Sequence, residues 1–171
     1  GRIGSYSGVS DDEGYELLQN SDGSFEINRQ DIYKKIHRWP LTNQEKTDHI
    51  NGGVAKNMHL DSELFDVNND GFSDLLVGFG HGSASSKLFI NNNGKFTEDN
   101  MIEMPDSIYG IDNQMHLTTL IADFDSDNDL DFVTVWTRYE PYYGGYYLQV
   151  NQNDGLGNFR DITDSISNDA Y

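Results

Sequence analysis

Along this chain, apolar residues come in short runs separated by clusters of Asp, Asn and Gly. Residues 60–65 and 117–122 each run into an acidic cluster, and residues 75–79 and 132–139 follow those clusters with sequences rich in strand formers. Residues 87–91 and 146–151 come next, after which Asn93-Gly94 and the stretch 155–158 supply hairpin turns leading into Phe96 and Phe159. The pattern predicts short strands in units of four. No apolar run is long enough for a membrane-spanning helix.

The units repeat. "MHLDSELFDVNNDGFSDLLV" begins at Met58 and "MHLTTLIADFDSDNDLDFVTV" at Met115, an offset of 57 that holds without a gap through Asp66/Asp123, Asp70/Asp127 and Asp74/Asp131. Downstream, "LFINNNGKF" (88–96) matches "LQVNQNDGLGNF" (148–159), first at offset 60, which sets Asn91 on Asn151, and then at 63. Upstream, "LLQNSDGSF" (17–25) aligns with 88–96 at offset 71, placing Leu17, Asn20, Gly23 and Phe25 on Leu88, Asn91, Gly94 and Phe96. The expected organisation is therefore a partial unit with an inserted segment over 1–49 (hairpin 15–30), a full repeat over 50–106, and a full repeat with a C-terminal tail over 107–171. Thr42 and Glu45 in the insertion have the spacing of a capping box, with a plain loop as the alternative.

The acidic clusters have metal-ligand spacing. Counting from Asp66, oxygen-bearing side chains stand at positions one, three, five and nine: Asp66, Asn68, Asp70 and Asp74. In the second loop the same positions are Asp123, Asp125, Asp127 and Asp131. Position seven, Phe72 or Asp129, would add a backbone carbonyl, and position six is Gly71 or Asn128, residue types that tolerate left-handed backbone. Hard oxygen donors without His or Cys suit calcium. An EF-hand or dockerin is disfavoured, because position twelve is Val77 or Thr134 within an expected strand. An acidic turn holding no ion is the plainer alternative.

"DVNNDGFSDLLV" and "ADFDSDNDLDFV", each followed by an L-x-x-N…G-x-F hairpin, resemble FG-GAP/VCBS repeats, the blades of integrin-α-like β-propellers. The resemblance implies an all-β fold of about two and a half blades and two calcium sites in the loops joining the first and second strands. One would be made by Asp66, Asn68, Asp70, the Phe72 carbonyl and Asp74, the other by Asp123, Asp125, Asp127, the Asp129 carbonyl and Asp131. "VGFGHGSASS" lacks the proline of the family's name motif, and so few blades would not close a ring of usual size. The chain is thus expected to be a fragment, an open array, or one subunit of a shared ring.

Eleven Lys+Arg against 29 Asp+Glu give a net charge of −18, which argues against nucleic acid as a partner and favours cations. The absence of cysteine excludes disulfides. His59 and His116 share a repeat position, where a recurring structural job is favoured over zinc. His81 among serines lacks a nucleophile-elbow pattern. Trp136, Tyr139, Tyr142, Tyr143 and Tyr146, gathered around Pro141 and Gly144-Gly145, are either a platform for sugar or protein or packing between blades. The inserted "IHRWP" (36–40) stands under the same alternatives. The expected function is a non-catalytic, calcium-binding recognition or adhesion module. It would be secreted or on a bacterial cell surface, bind a protein or glycan ligand, and have open blade edges able to self-associate. The alternatives are an accessory or catalytic part of a secreted polysaccharide-degrading enzyme, and a scaffold segment of a larger surface protein.

Overall fold

The computed structural model describes residues 3–4, 15–28, 58–80, 85–138 and 140–167. Thr42, Glu45, His81, Tyr139 and the "IHRWP" segment lie outside them. Strands β1 (Ile3–Gly4), β2 (Tyr15–Gln19) and β3 (Phe25–Asn28) form a three-stranded sheet, with β2 and β3 the expected hairpin. Strands β4 (Met58–Phe65), β5 (Asp74–Gly80), β6 (Lys87–Phe89) and β7 (Met101–Glu103) form a four-stranded antiparallel sheet in sequence order. Strands β8 (Gln114–Ala122), β9 (Asp131–Arg138), β10 (Gly144–Asn153) and β11 (Phe159–Asp161) form a second, and the short helix α1 (Thr163–Ser167) follows. The described chain is all-β apart from this helix and one 3-10 turn, as expected of partial propeller blades.

The two four-stranded sheets repeat each other in detail. β4 pairs with β5, and β8 with β9, through a register shift at the same repeat position, between His59 and Asp61 and between His116 and Thr118. The pairing also corrects the sequence alignment. Leu75 lies opposite Phe89 and Phe132 opposite Asn151, so the third strands superpose at offset 62 rather than 60. Because side chains alternate with period two, a slip of two residues keeps every side chain on its proper face, and the hydrophobic pattern could not reveal the error.

The fourth strand of the first unit also departs from expectation. Asn93 and Gly94 turn the chain with φ of 51° and 86°, as a left-handed Asn-Gly pair should. Only the bridge between Asn92 and Lys95 follows, and Phe96 turns into the core instead of starting a strand. The chain then makes a 3-10 turn over Glu98–Asn100 before β7 pairs with β6. Phe25, aligned with Phe96 in sequence, is 63% exposed, so that pair shares a motif and not an environment.

Two apolar clusters sit on opposite faces of the first four-stranded sheet. Leu75, Val77, Phe79, Phe89 and Phe96 form one. Phe65, Val67, Leu76, Leu88 and Met104 form the other together with Phe132 of the second sheet, with Ile121, Leu130 and Phe159 packed against them. Phe132 meets Phe65 edge-on and stacks on Phe159, with ring centroids 4.8 and 4.5 Å away.

Beside this apolar seam, His116 crosses between the sheets. Its Nδ1 lies 2.7 Å from Ser86 Oγ, its Nε2 2.8 Å from Thr119 Oγ1 and 3.6 Å from Asp61 Oδ2, and its ring meets Trp136 edge-on. The recurring His thus does a structural job at position 116. Burial works to raise the Asp61 pKa, but the bond and charge of His116 and the amides of Thr119 and Ser62 outweigh it and hold this carboxyl below its usual value. Gly78 makes room for the imidazole, since a Cβ there would collide with the ring.

On the outer face of the second sheet, Thr118 replaces Asp61, Val135 replaces Gly78 and Leu148 replaces Ser86, as the strand pairings show. That face is open, with Leu120 58% and Leu148 55% exposed. It cannot receive a third sheet by the same contact, because Val135 fills the place of the histidine. Gly78→Val should therefore lower stability by about 1–3 kcal/mol through overpacking, whereas Val135→Ala on the open face should cost well under that. Chemical denaturation of both variants checks the pair.

Candidate functional site

Each acidic loop is a turn between the first two strands of its sheet, and its aspartates fold it by accepting backbone amides. In the first loop Asp66 Oδ1 accepts Asp70 N and its Oδ2 accepts Gly71 N, at 3.0 and 2.8 Å. In the second, Asp123 Oδ1 accepts Ser126 N and Asp127 N, and its Oδ2 accepts Asn128 N. Asp70 and Asp127 each accept the amide two residues on. Gly71 and Asn128 have φ of 90° and 77°, as expected at position six. Position four is left-handed too, with Asn69 at 57° and Ser126 at 68°, which residue type did not signal for the serine.

Position nine is buried in both loops. Asp74 Oδ2 accepts Val67 N at 2.9 Å and its Oδ1 accepts Asn91 N at 2.7 Å. Asp131 repeats this with Phe124 N at 3.0 Å and Asn153 N at 2.9 Å. Each carboxylate joins the loop's start to the residue just past or ending the third strand. That residue is an Asn whose own side chain returns the clamp. Asn91 Nδ2 donates to the Ser73 carbonyl and Asn91 Oδ1 accepts Gly94 N. Asn153 Nδ2 donates to the Leu130 carbonyl and also, across the seam, to the Val67 carbonyl, while its Oδ1 accepts Gly155 N and Gly157 N. Sequence reasoning missed Asn153, because "VNQN" offers two asparagines and the alignment chose Asn151.

The second loop brings Asp123, Asp125 and Asp131 together, with one carboxylate oxygen from each within 4.8 Å of the others. Asp127 and Asp129 stand beside them and act on one another electrostatically. Asp129 is 8% exposed and its Oδ1 has no hydrogen-bond partner. Burial first, then the bond and charge of Asp127 and the charges of Asp131 and Asp125, push its pKa up to about 6. A hard oxygen-liganded cation fits the three converging carboxylates of Asp123, Asp125 and Asp131, since it would neutralise them. In the first loop Asp66, Asn68, Asp70 and Asp74 occupy the same positions, but Asn68 Nδ2 donates to Asp70 Oδ2 and so relieves part of the repulsion. Burial raises the Asp74 pKa against the two amides that lower it, and Asp70 and Asp66 add to the rise.

The aromatic group divides. Tyr142, Tyr143 and Tyr146 are 64, 56 and 80% exposed around the tip joining β9 to β10, with Arg138 over the Tyr142 ring at 5.4 Å. Trp136, expected with them, is 1% exposed, and its Nε1 donates to Gln149 Oε1 at 2.7 Å inside the sheet. It leaves the candidate surface because it shares the inward face of β9 with Phe132 and Thr134. The nearby Ser86, His116 and Asp61 have the residue types of a nucleophile, base and acid. Ser86 and His116 are 2 and 1% exposed and hydrogen-bonded to one another within the packed seam.

Residues 66–134 match the family profile of the FG-GAP-like repeat, so this part of the chain is an FG-GAP-like repeat. No curated protein and no solved structure gives a match.

The raised carboxyls set a sign for pH. A folded pKa above its ordinary 3.8 adds stability below that value and loses it as pH rises through the folded pKa. In chelator, the melting temperature should therefore fall as pH rises from about 4 to just above 6. Asp61, whose pKa is lowered, loses its contribution only at pH below 3.8, outside that window. Calcium should flatten the fall by replacing the proton. Thermal melts across pH with and without calcium check this, and a profile rising through the window would refute it.

Proposed function

We propose that this repeat protein is a calcium-stabilised recognition module of the secreted or cell-surface kind, in which the ion is structural and surface tyrosines meet a protein or glycan ligand. The observation that carries this reading is the convergence of Asp123, Asp125 and Asp131 in a loop that the first sheet duplicates at Asp66, Asn68, Asp70 and Asp74. Two ions would each tie a turn to its sheet and offset carboxylate repulsion. The acidic surface, at net charge −18, would concentrate cations around these loops. Self-association would use the open outer face around Leu120 and Leu148, and not a repeat of the internal seam.

Calcium at millimolar concentration should raise the melting temperature of a metal-stripped sample clearly over chelator, because binding to the native state alone stabilises by mass action. Magnesium should do less, since it dehydrates reluctantly. No shift with calcium would sink the proposal.

Recognition is tested at the tip. Tyr142→Ala with Tyr143→Ala should leave calcium-dependent melting within about 0.5 kcal/mol of wild type, as exposed changes usually do. Binding on a glycan array or to a protein ligand found by pull-down should weaken by tenfold or more, because exposed aromatic rings carry much of such contacts. Unchanged binding in the double variant would remove the tip from the site.

A further inference from the structure

We propose that the tyrosine tip joining β9 to β10 binds a cationic segment of a partner protein, taking an arginine or lysine side chain against its ring faces beside a rim of carboxylates. This rests on the reading of the tip as a contact surface, and it narrows the ligand to one chemistry. Tyr142, Tyr143 and Tyr146 are all exposed there, Tyr146 the most, at 80%.

Three observations point to a cation. First, the tip already holds one: the Arg138 guanidinium lies 5.4 Å from the centroid of the Tyr142 ring, within reach of a cation–π contact. Second, acids stand beside the rings. Glu140 and Asp112 are both exposed. Asn113, next to Asp112, grips the Glu140 backbone, its side chain donating to the carbonyl at 3.2 Å and accepting the amide at 2.6 Å, which sets both acids at the base of the tip. Asp161 and Asp164 act electrostatically on Tyr147, the residue after Tyr146. The other basic side chains among the described residues are placed elsewhere. Lys87 pairs with Glu103, Lys95 is in the turn after β6, and Arg160 lies opposite Gln152 toward the far end of β10.

The third observation concerns what the tip offers a sugar. A glycan site sets amides and hydroxyls beside its rings, so that the sugar's own hydroxyls find partners. Here the Asn113 amide is committed to the Glu140 backbone, and Thr137 Oγ1 donates to the Gly145 carbonyl at 2.9 Å. From 140 to 146 the exposed side chains are Glu140, Pro141 and the three tyrosines. Rings and acids together receive Arg or Lys, the ring taking the face of the charge and the carboxylate its N–H donors. A second copy of this chain is a poor occupant, because each carries a net charge of −18.

Calorimetric titration of the full chain at physiological salt, in millimolar calcium, tests this. The probes are a short arginine–leucine peptide, the same peptide with glutamate for arginine, and cellohexaose. The arginine peptide should bind and the other two should not. Tyr146→Leu should weaken it about fivefold, the size of an exposed cation–π contact, and Tyr146→Phe should keep it, since the ring and not the hydroxyl makes the contact. Glu140→Gln with Asp112→Asn should weaken it about as much. Glu98→Gln with Asp99→Asn is equal in charge but lies on the 3-10 turn, where Asp99 shares a cleft with Asp70 of the first acidic loop. That pair should change the affinity less than about twofold, because the tip is beyond the screening length. No binding of the arginine peptide, an unchanged affinity in Tyr146→Leu, or equal losses from the two acid pairs overturns the inference. Cellohexaose bound in its place, and lost in the Tyr142→Ala, Tyr143→Ala variant, overturns the cation while leaving the tip as a site. Binding that none of the tyrosine variants moves overturns both.

Discussion

The buried aspartate at position nine is the constraint on which each repeat depends. Asp74 and Asp131 begin the second strand of their sheets and are almost wholly removed from water. Such burial is tolerable only where the charge is met by strong donors. Two backbone amides meet it, one from the start of the acidic loop and one from the residue at which the third strand gives way to its turn. The carboxylate thereby fixes three elements at one point. It also explains why an asparagine stands opposite: Asn91 or Asn153 supplies the amide and then closes the adjoining turn with its own side chain. Each carboxylate oxygen keeps a second lone pair, so the clamp and a cation are compatible.

A second constraint joins one repeat to the next. Removing the Cβ at position 78 lets an imidazole from the following sheet enter the backbone of the first, where a serine, a threonine and an aspartate satisfy it. Apolar burial around Phe132 also holds the two sheets together, but it is not directional. The polar cluster fixes the register. Its absence at Thr118, Val135 and Leu148 means that the outer face of the last sheet presents a different partner problem from the inner one, despite the shared fold.

Much of this was legible in the sequence, for physical reasons. The 57-residue offset, the acidic spacing and the left-handed residues at position six all reflect local backbone demands, and local demands leave local signatures. The errors arose where the decisive interaction was distant. Asn151 and Asn153 look alike in sequence, and only the bond to Asp131 across the hairpin selects the latter. Trp136 belongs with the tyrosines by proximity in the chain, but strand alternation turns it inward toward Gln149 and His116. Phe96 reads as the start of a strand, yet the core under the first sheet takes it first. Nothing in the motif marked Asp129 as buried, because its environment is built partly by Gly155 in another hairpin.

The geometry also decides how an ion in the loop could bear on recognition at the tip. β9 begins at Asp131, in the acidic loop, and ends at Arg138, beside Tyr142. At about 3.3 Å per residue, its eight residues put the two ends roughly 23 Å apart. That is more than twice the screening length of about 8 Å at physiological salt, so the charge of a bound cation is little felt by a ligand at the tip. Influence must pass through the frame. The route is short: the loop's Asp131 holds Asn153 at the far end of β10, and β10 begins at Gly144 in the tyrosine turn, whose Gly145 carbonyl accepts Thr137 Oγ1. A loosened loop therefore frees the end of β10 and leaves the tip anchored at its own base. An ion placed there would secure the sheet end that carries Asn153 without reaching the tyrosine turn.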